Sequence, residues 1–256
     1  MYFESEKRLL LQLKYLKKNF NLQGIKAEYE AEGSSYQEVS FLRRLTYKAN
    51  VPLHIKIGGV EALNDIYSCI ELGVDGIIAP MVETKFGIQK FKQSIEKFDL
   101  KINPYLSINL ETKNGIINHK EIINYGKNFI NNITIGRSDL SASYFDKKIN
   151  PESKKILNNI LLVSKFAKKN NITTTVGGSL NSKTIKNYLK VKNIGNLLKR
   201  METRKVIFNT QIFLNKRDSL KQALRFEERY IIYKKEISDF KLKSDLSRLT
   251  TLKTRL

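Results

Sequence analysis

Runs rich in aliphatic and β-branched residues alternate with segments of helical periodicity along most of this chain, and few folds accept that pattern. An opening helix built around Leu9 to Leu16 leads to a strand, Gly24-Ile25-Lys26-Ala27-Glu28-Tyr29. A helix from Tyr36 to Ala49 carries Val39, Leu42 and Leu45 at helical spacing. Pro52-Leu53-His54-Ile55-Lys56-Ile57 is the next strand, closed by Gly58-Gly59, and a helix through Leu63, Ile66 and Ile70 ends at Gly73. Gly76-Ile77-Ile78-Ala79-Pro80-Met81-Val82 is a third strand and Phe86 to Phe98 a third helix. The fourth and fifth strands end in Leu106-Ser107-Ile108-Asn109-Leu110-Glu111-Thr112 and Ile133-Thr134-Ile135-Gly136-Arg137-Ser138-Asp139-Leu140-Ser141. Helix Ser153–Lys169, strand Ile172–Val176 with its Gly177-Gly178, and helix Ser182–Val191 follow; Leu197–Phe208 holds one strand or two.

Such alternation predicts parallel strands linked by crossover helices. The expected fold is α/β, a (β/α)8 TIM barrel over residues 1–215, with a doubly wound open sheet as the alternative. The open sheet would place a Gly-rich phosphate loop after an early strand, and neither G-x-G-x-x-G nor G-x-x-x-x-G-K-S/T occurs. Residues 216–256 read as a C-terminal helical extension, with Leu220, Leu224, Ile231, Ile237, Leu242, Leu246 and Leu249 as an apolar stripe. That stripe packs either on its own barrel or on a neighbouring subunit, since a single apolar face needs a partner surface.

At 256 residues the chain suits one large domain with a sizeable core, and 41% hydrophobic composition is ordinary. No stretch approaches the roughly 18 apolar residues of a membrane helix, and the mixed-charge N-terminus, Met1 to Lys7, has no secretory apolar region. Cytoplasm is the expected address. A single cysteine, Cys69, allows no intrachain disulfide and reads as a small buried apolar residue. The net charge of +21 and pI near 9.8 are those of many nucleic-acid binders. The lysines read as scattered, however, and no zinc-finger spacing, RNP-like motif or basic zipper occurs. Compositional bias plus attraction for a small anionic substrate is therefore expected over nucleic acid.

The fourth and fifth strands each deliver an acid where the strand yields to a loop. In a βα barrel that end carries the active site, and two carboxylates from neighbouring strands suit a hard cation. Asp139 could instead cap the helix beginning near Leu140, with Glu111 paired to a lysine.

These motifs resemble the HpcH/HpaI aldolase and citrate lyase β-subunit family of metal-dependent carbon–carbon lyases. The resemblance runs from Gly24 to Phe208 and is carried by Ala27-Glu28-Tyr29-Glu30-Ala31-Glu32-Gly33, Ile55-Lys56-Ile57-Gly58-Gly59, Ile78-Ala79-Pro80-Met81-Val82-Glu83-Thr84, Asn109-Leu110-Glu111-Thr112 and Gly136-Arg137-Ser138-Asp139-Leu140-Ser141. It implies a TIM barrel, a Mg²⁺ or Mn²⁺ ion held by Glu111 and Asp139, and an enolate formed from a 2-keto acid or acyl-CoA. A homo-oligomer is expected as well. Two departures stand out. Gly33 occupies the place of the family's general-base histidine, and Lys56 that of its substrate-binding arginine, losing the planar bidentate fork.

Glu30 and Glu32 are the candidate substitute bases, with a salt bridge to Lys26 or Arg204 as their structural alternative. His54 reads as a core histidine, and His119 is expected in an exposed polar segment. Arg204 could clamp a substrate anion or lock Glu202 or Glu30, and Arg137 carries the same ambiguity. Gly136, Gly177 and Gly178 are candidate substrate-binding positions, the glycine pair through its N–H groups or as a plain tight turn. Two other functions stay open: a different enzyme on the same barrel, such as a Schiff-base enzyme using Lys26 or Lys56, and a non-catalytic binding protein using the basic surface.

Overall fold

The computed structural model describes residues 3–101 and 104–254; Met1 and Tyr2 of the N-terminal segment and Arg255 and Leu256 of the tail lie outside the described residues. Eight short strands close into one barrel in chain order. They are β1 (Leu22–Glu28), β2 (Leu53–Lys56), β3 (Gly76–Ala79), β4 (Tyr105–Asn109), β5 (Asn132–Gly136), β6 (Thr173–Gly177), β7 (Arg200–Glu202) and β8 (Val206–Asn209). Helix α1 (Glu4–Phe20) precedes β1, and α2 (Tyr36–Ala49), α3 (Leu63–Glu71) and α4 (Lys85–Glu96) follow the first three strands. Two helices each follow β4, β5 and β6: α5 (Lys113–Ile117) with α6 (His119–Gly126), α7 (Arg137–Ala142) with α8 (Lys154–Lys169), and α9 (Ser182–Leu189) with α10 (Ile194–Leu197). The closed barrel excludes the open sheet.

The stretch Leu197–Phe208 holds two strands. Only Thr203 to Lys205 separate β7 from β8, too few residues for a parallel crossover. β8 therefore folds back as a hairpin, antiparallel to both β7 and β1, while the other neighbours pair in parallel. This reversal departs from the regular (β/α)8 pattern and leaves the chain at the N-terminal end of the barrel. Helix α11 (Thr210–Asn215) lies there, and α12 (Ser219–Lys253) climbs the outside antiparallel to α1. Contacts of Lys216 with Asn19, Gln222 with Gln12 and Glu236 with Ser5 mark that climb. The first half of α12 buries Ala223, Phe226 and Tyr230 against the barrel. Its second half runs on beyond these contacts, with Leu242, Leu246 and Leu249 exposed.

Side chains alternate along a strand. Ile25, Ala27, Leu53, Ile55, Ile108, Ile133 and Ile135 meet the helices and form the apolar core. The other face of the same strands fills the barrel with polar groups, where branched aliphatic residues are usual. Asn132 hydrogen-bonds with Ser107 and Thr175 in the middle of the barrel. Below it the His54 ring lies where Cβ atoms on Gly24 and Gly76 would collide with it, at 2.8 and 2.1 Å. Burial, reinforced by Arg200, pushes His54 down to about pKa 4, so it is a neutral core group. His119 is not exposed as expected: α6 starts there, its Nδ1 lies 2.7 Å from the Ile116 carbonyl, and its ring packs edge-on against Phe166. Cys69 is a buried free thiol in α3.

Candidate active site

The C-terminal ends of the strands enclose a cavity of about 500 Å³, lined among others by Lys26, Glu28, Lys56, Asn109, Glu111, Asp139, Glu202 and Arg204. A ladder of alternating charge crosses it. Glu202 Oε1 lies 2.8 Å from Lys26 Nζ, which lies 3.1 Å from Glu28 Oε1. Glu28 Oε2 is 3.4 Å from Lys56 Nζ, and Lys56 Nζ is 3.9 Å from Glu111 Oε1. The parallel register sets this order, since β1 places Glu28 beside Lys56 of β2. Burial disfavours the Lys26 charge, but Glu202 and Glu28 outweigh it and hold the ammonium above its usual range. Burial likewise opposes ionisation of Glu28, and the two lysines override it and keep its carboxyl below the usual range. Lys26 is thus a poor Schiff-base nucleophile, because that role needs a lowered pKa.

Glu111 follows β4 and turns across Gly136, the last residue of β5. A Cβ on Gly136 would sit 2.6 Å from Glu111 Oε2, so only glycine admits the carboxylate there. Asn109 Nδ2 donates to that same oxygen at 3.0 Å, and the Met81 N–H donates to Oε1 at 3.1 Å. Burial still pushes the Glu111 carboxyl up, against Lys56 and these donors, and nearby Asp139 adds to the rise. Asp139 is the third residue of α7, whose N-cap is Gly136, so it is not the cap considered from sequence. Among the described residues its carboxylate has no hydrogen-bond or ion-pair partner. Asn109 Oδ1 is buried and also without a partner. Two carboxylates and a residue with an unpartnered amide oxygen line one cavity, and such hard donors fit Mg²⁺ or Mn²⁺.

Of the other expected site residues, Gly177, Gly178 and Arg204 line the cavity, whereas Arg137, Glu30, Glu32 and Gly33 do not. Arg137 is fully buried and points away from the cavity, because all its N–H groups are committed. They reach the carbonyls of Gly178 and Pro151, the Glu152 carboxylate and Thr184 Oγ1. It is a clamp between loops and not a substrate ligand. Gly178 serves that clamp with its carbonyl, and a Cβ there would meet Ser138 N at 2.7 Å. Its partner Gly177 makes room for Glu202, whose Cγ would lie 2.9 Å from a Cβ. The helix after them is already capped by the Asn181 side chain. Glu30 is exposed in a separate depression beside Gly58 and Asp65, because β1 ends at Glu28 and the chain turns outward. Glu32 is tied to Lys205 and, at 3.3 Å, to Arg204. Gly33 is exposed with φ +57 and nothing near it. Arg204 does reach the cavity rim, paired with Glu32 and not with Glu202 or Glu30. Glu28, Asn109 and Glu202 were not singled out as site residues from sequence. Their signal was a polar residue at every second position of an otherwise apolar strand, as in Lys26 and Glu28 or Ser107 and Asn109.

A closed barrel with two acids at neighbouring strand ends defines a βα-barrel enzyme scaffold. The HpcH/HpaI aldolase/citrate lyase family matches residues 39–193, more than half of the chain, and the chain belongs to that family. The match includes Lys56, Glu111 and Asp139 and begins after the Glu28–Gly33 motif. Membership supports carbon–carbon lyase chemistry in general. Among curated proteins none matches the sequence. Solved structures similar in fold include an HpcH/HpaI family protein from Burkholderia cenocepacia J2315, with TM-score 0.61 and 12% identity over 86% of this chain and 89% of that one. The HpcH/HpaI aldolase from Desulfitobacterium hafniense DCB-2 gives 0.59 at 12% identity, over 75% of this chain and 80% of that one. RipC from Yersinia pestis gives 0.52 at 12% identity, over 80% and 87%. Among the described residues no helix is long and apolar enough to cross a membrane.

Proposed function

We propose that this protein is a divalent-metal-dependent carbon–carbon lyase acting through an enolate of a small anionic substrate, a 2-keto acid or an acyl-CoA. One observation carries the reading: Glu111, Asp139 and Asn109, whose buried Oδ1 has no partner, line one cavity, with Gly136 making room for the first of them. Mg²⁺ or Mn²⁺ held there would supply Lewis-acid stabilisation of negative charge on an enolate oxygen. The remaining roles belong to the chain. Lys56 Nζ, held by Glu28 and open to the cavity, donates to a substrate carboxylate or developing oxyanion. Arg204 receives the far carboxylate or phosphate at the rim. Lys26 and Glu202 brace Glu28, so that Lys56 keeps its position. Glu28, held ionised between two ammonium groups, is a poor base. The chemistry supported best therefore leans on charge stabilisation and not on a strong side-chain base.

Calorimetric titration with Mn²⁺ tests the donor set. Glu111→Gln and Asp139→Asn should each weaken binding by about 100-fold or more, and Asn109→Ala by about 10-fold, with unchanged circular dichroism. Wild-type affinity in both acid variants would overturn the assignment.

A further inference from the structure

The positive charge of this chain is not spread evenly. Residues 1–100 hold 14 basic and 13 acidic side chains. Residues 147–200 hold 13 basic side chains, 12 of them lysines, against one acid, Glu152. That acid is already spent on Arg137. A coding bias toward lysine would raise lysine throughout and would not empty one segment of acids.

The fold gathers this segment into one sector. Helices α8, α9 and α10 lie outside β5, β6 and β7, with α10 against α8. All 12 lysines of the segment are exposed, and among the described residues none forms an ion pair. Lys147, Lys148, Lys154 and Lys155 stand toward the C-terminal end of the barrel, and Lys165, Lys168 and Lys169 stand at the other end of α8. A 16-residue helix is about 24 Å long, so the charge runs the height of the barrel.

We propose that this lysine face binds the phosphate backbone of a double-stranded nucleic acid, without reading its sequence. Three features select that partner. The charge is unneutralised and carried on α8, α9 and the loops around them, which suits a polymer carrying about one charge per 1.7 Å. Exposed aromatics are absent from the described residues of α8 and α9, and the exposed ring of Phe145 beside Lys147 is too little for the run of stacked bases that single strands need. Leu162 and Leu189 are the exposed large apolar residues on these helices, too little for the apolar face by which a helix enters a membrane surface. The face lies on the barrel's flank, away from the cavity, and is independent of the lyase reading.

The full chain is titrated into fluorescently labelled DNA and RNA duplexes of about 24 base pairs, and anisotropy is followed from 50 to 200 mM salt. Wild type should bind both duplexes with a log–log salt slope steeper than about −4. A variant carrying Lys165→Glu, Lys168→Glu, Lys169→Glu, Lys186→Glu and Lys190→Glu should lose about 100-fold in affinity and most of that slope. A control carrying Lys7→Glu, Lys14→Glu, Lys18→Glu, Lys48→Glu and Lys97→Glu has the same net charge and should lose far less. Equal loss in both variants, or a flat wild-type slope, would overturn the proposal. So would tighter binding to vesicles of phosphatidylcholine and phosphatidylserine in equal parts than to either duplex. The wild-type slope alone decides the matter should a variant fail to fold.

Discussion

At the C-terminal end of the barrel interior the side chains are charged and open onto a cavity; at the N-terminal end they are packed around rings. The upper end solves the cost of burying charge by alternation of sign, from Glu202 through Lys26, Glu28 and Lys56 to Glu111. Each buried charge then has an opposite neighbour, without which burial is expensive. The lower end instead sets a neutral imidazole beside one guanidinium that lies over an aromatic ring. His54 gives up its proton and meets Tyr105 edge-on at 5.6 Å, while the Arg200 guanidinium stacks over the Tyr105 ring at 4.6 Å. Both ends use the inward face of the same strands. The lesson is that polar residues inside this barrel have two separate jobs, and those at the end bearing Glu111 open onto a cavity.

The largest effect expected comes from breaking the upper ladder. Lys26→Met removes the cation shared by Glu202 and Glu28 and should cost about 3–5 kcal/mol at pH 7, read from urea unfolding. The sign with pH follows from Glu28, whose folded pKa is depressed. Its contribution is present above the usual carboxylate pKa and is lost as pH falls through the lower folded value. Variant and parent should therefore converge in acid. A cost under about 1 kcal/mol would mean that the ladder is not what holds this end together.

The lower end should respond to pH in a different window. His54 has a folded pKa near 4 against an ordinary 6.5, so the unfolded chain binds the proton first. Stability is full above pH 6.5 and falls as pH drops toward 4, by roughly 3 kcal/mol from this group. His119 is depressed as well, chiefly by burial, and adds to the same window. His54→Gln should flatten the decline between pH 6.5 and 4, while the steeper loss below the carboxylate range stays. An unchanged profile would mean that His54 is protonated in the folded state and that the two ends do not differ in this way.

The sequence made the barrel legible because apolar strand runs and helical runs alternate from Gly24 to Val191, although the short helices α5 and α6 between the fourth and fifth strands were not read. The reversed β8 was not legible, since a three-residue connection and a short strand carry no sign of direction until β1 is seen beside them. Glu111 and Asp139 could be read because each ends an apolar run. Arg137 was misplaced for a physical reason. It lies two residues before Asp139, but α7 begins between strand and acid and turns the guanidinium outward to Glu152. Glu30 and Glu32 failed similarly: β1 stops at Glu28, and the loop carries both away from the cavity. The clustering of lysine on α8 and α9 was open to counting by segment, and total charge concealed it.

The smallest effect expected is at Gly33, and it separates the barrel interior from the loop above it. A histidine acting as general base typically contributes about 10²–10⁴-fold in rate, but only within reach of the proton. Gly33 is exposed at φ +57, and a Cβ there would meet no atom within 4 Å. From this loop Ala31 reaches the cavity, and Gly33 does not. Gly33→His should accordingly leave deuterium exchange into the pyruvate methyl group, followed by NMR, at the parent rate. It should also cost about 1 kcal/mol for placing a side chain in left-handed backbone. A rise of about 100-fold in the metal-loaded variant would require the loop from Tyr29 to Ser34 to fold over Lys56 and Glu111 during turnover, restoring the register that the resemblance suggested.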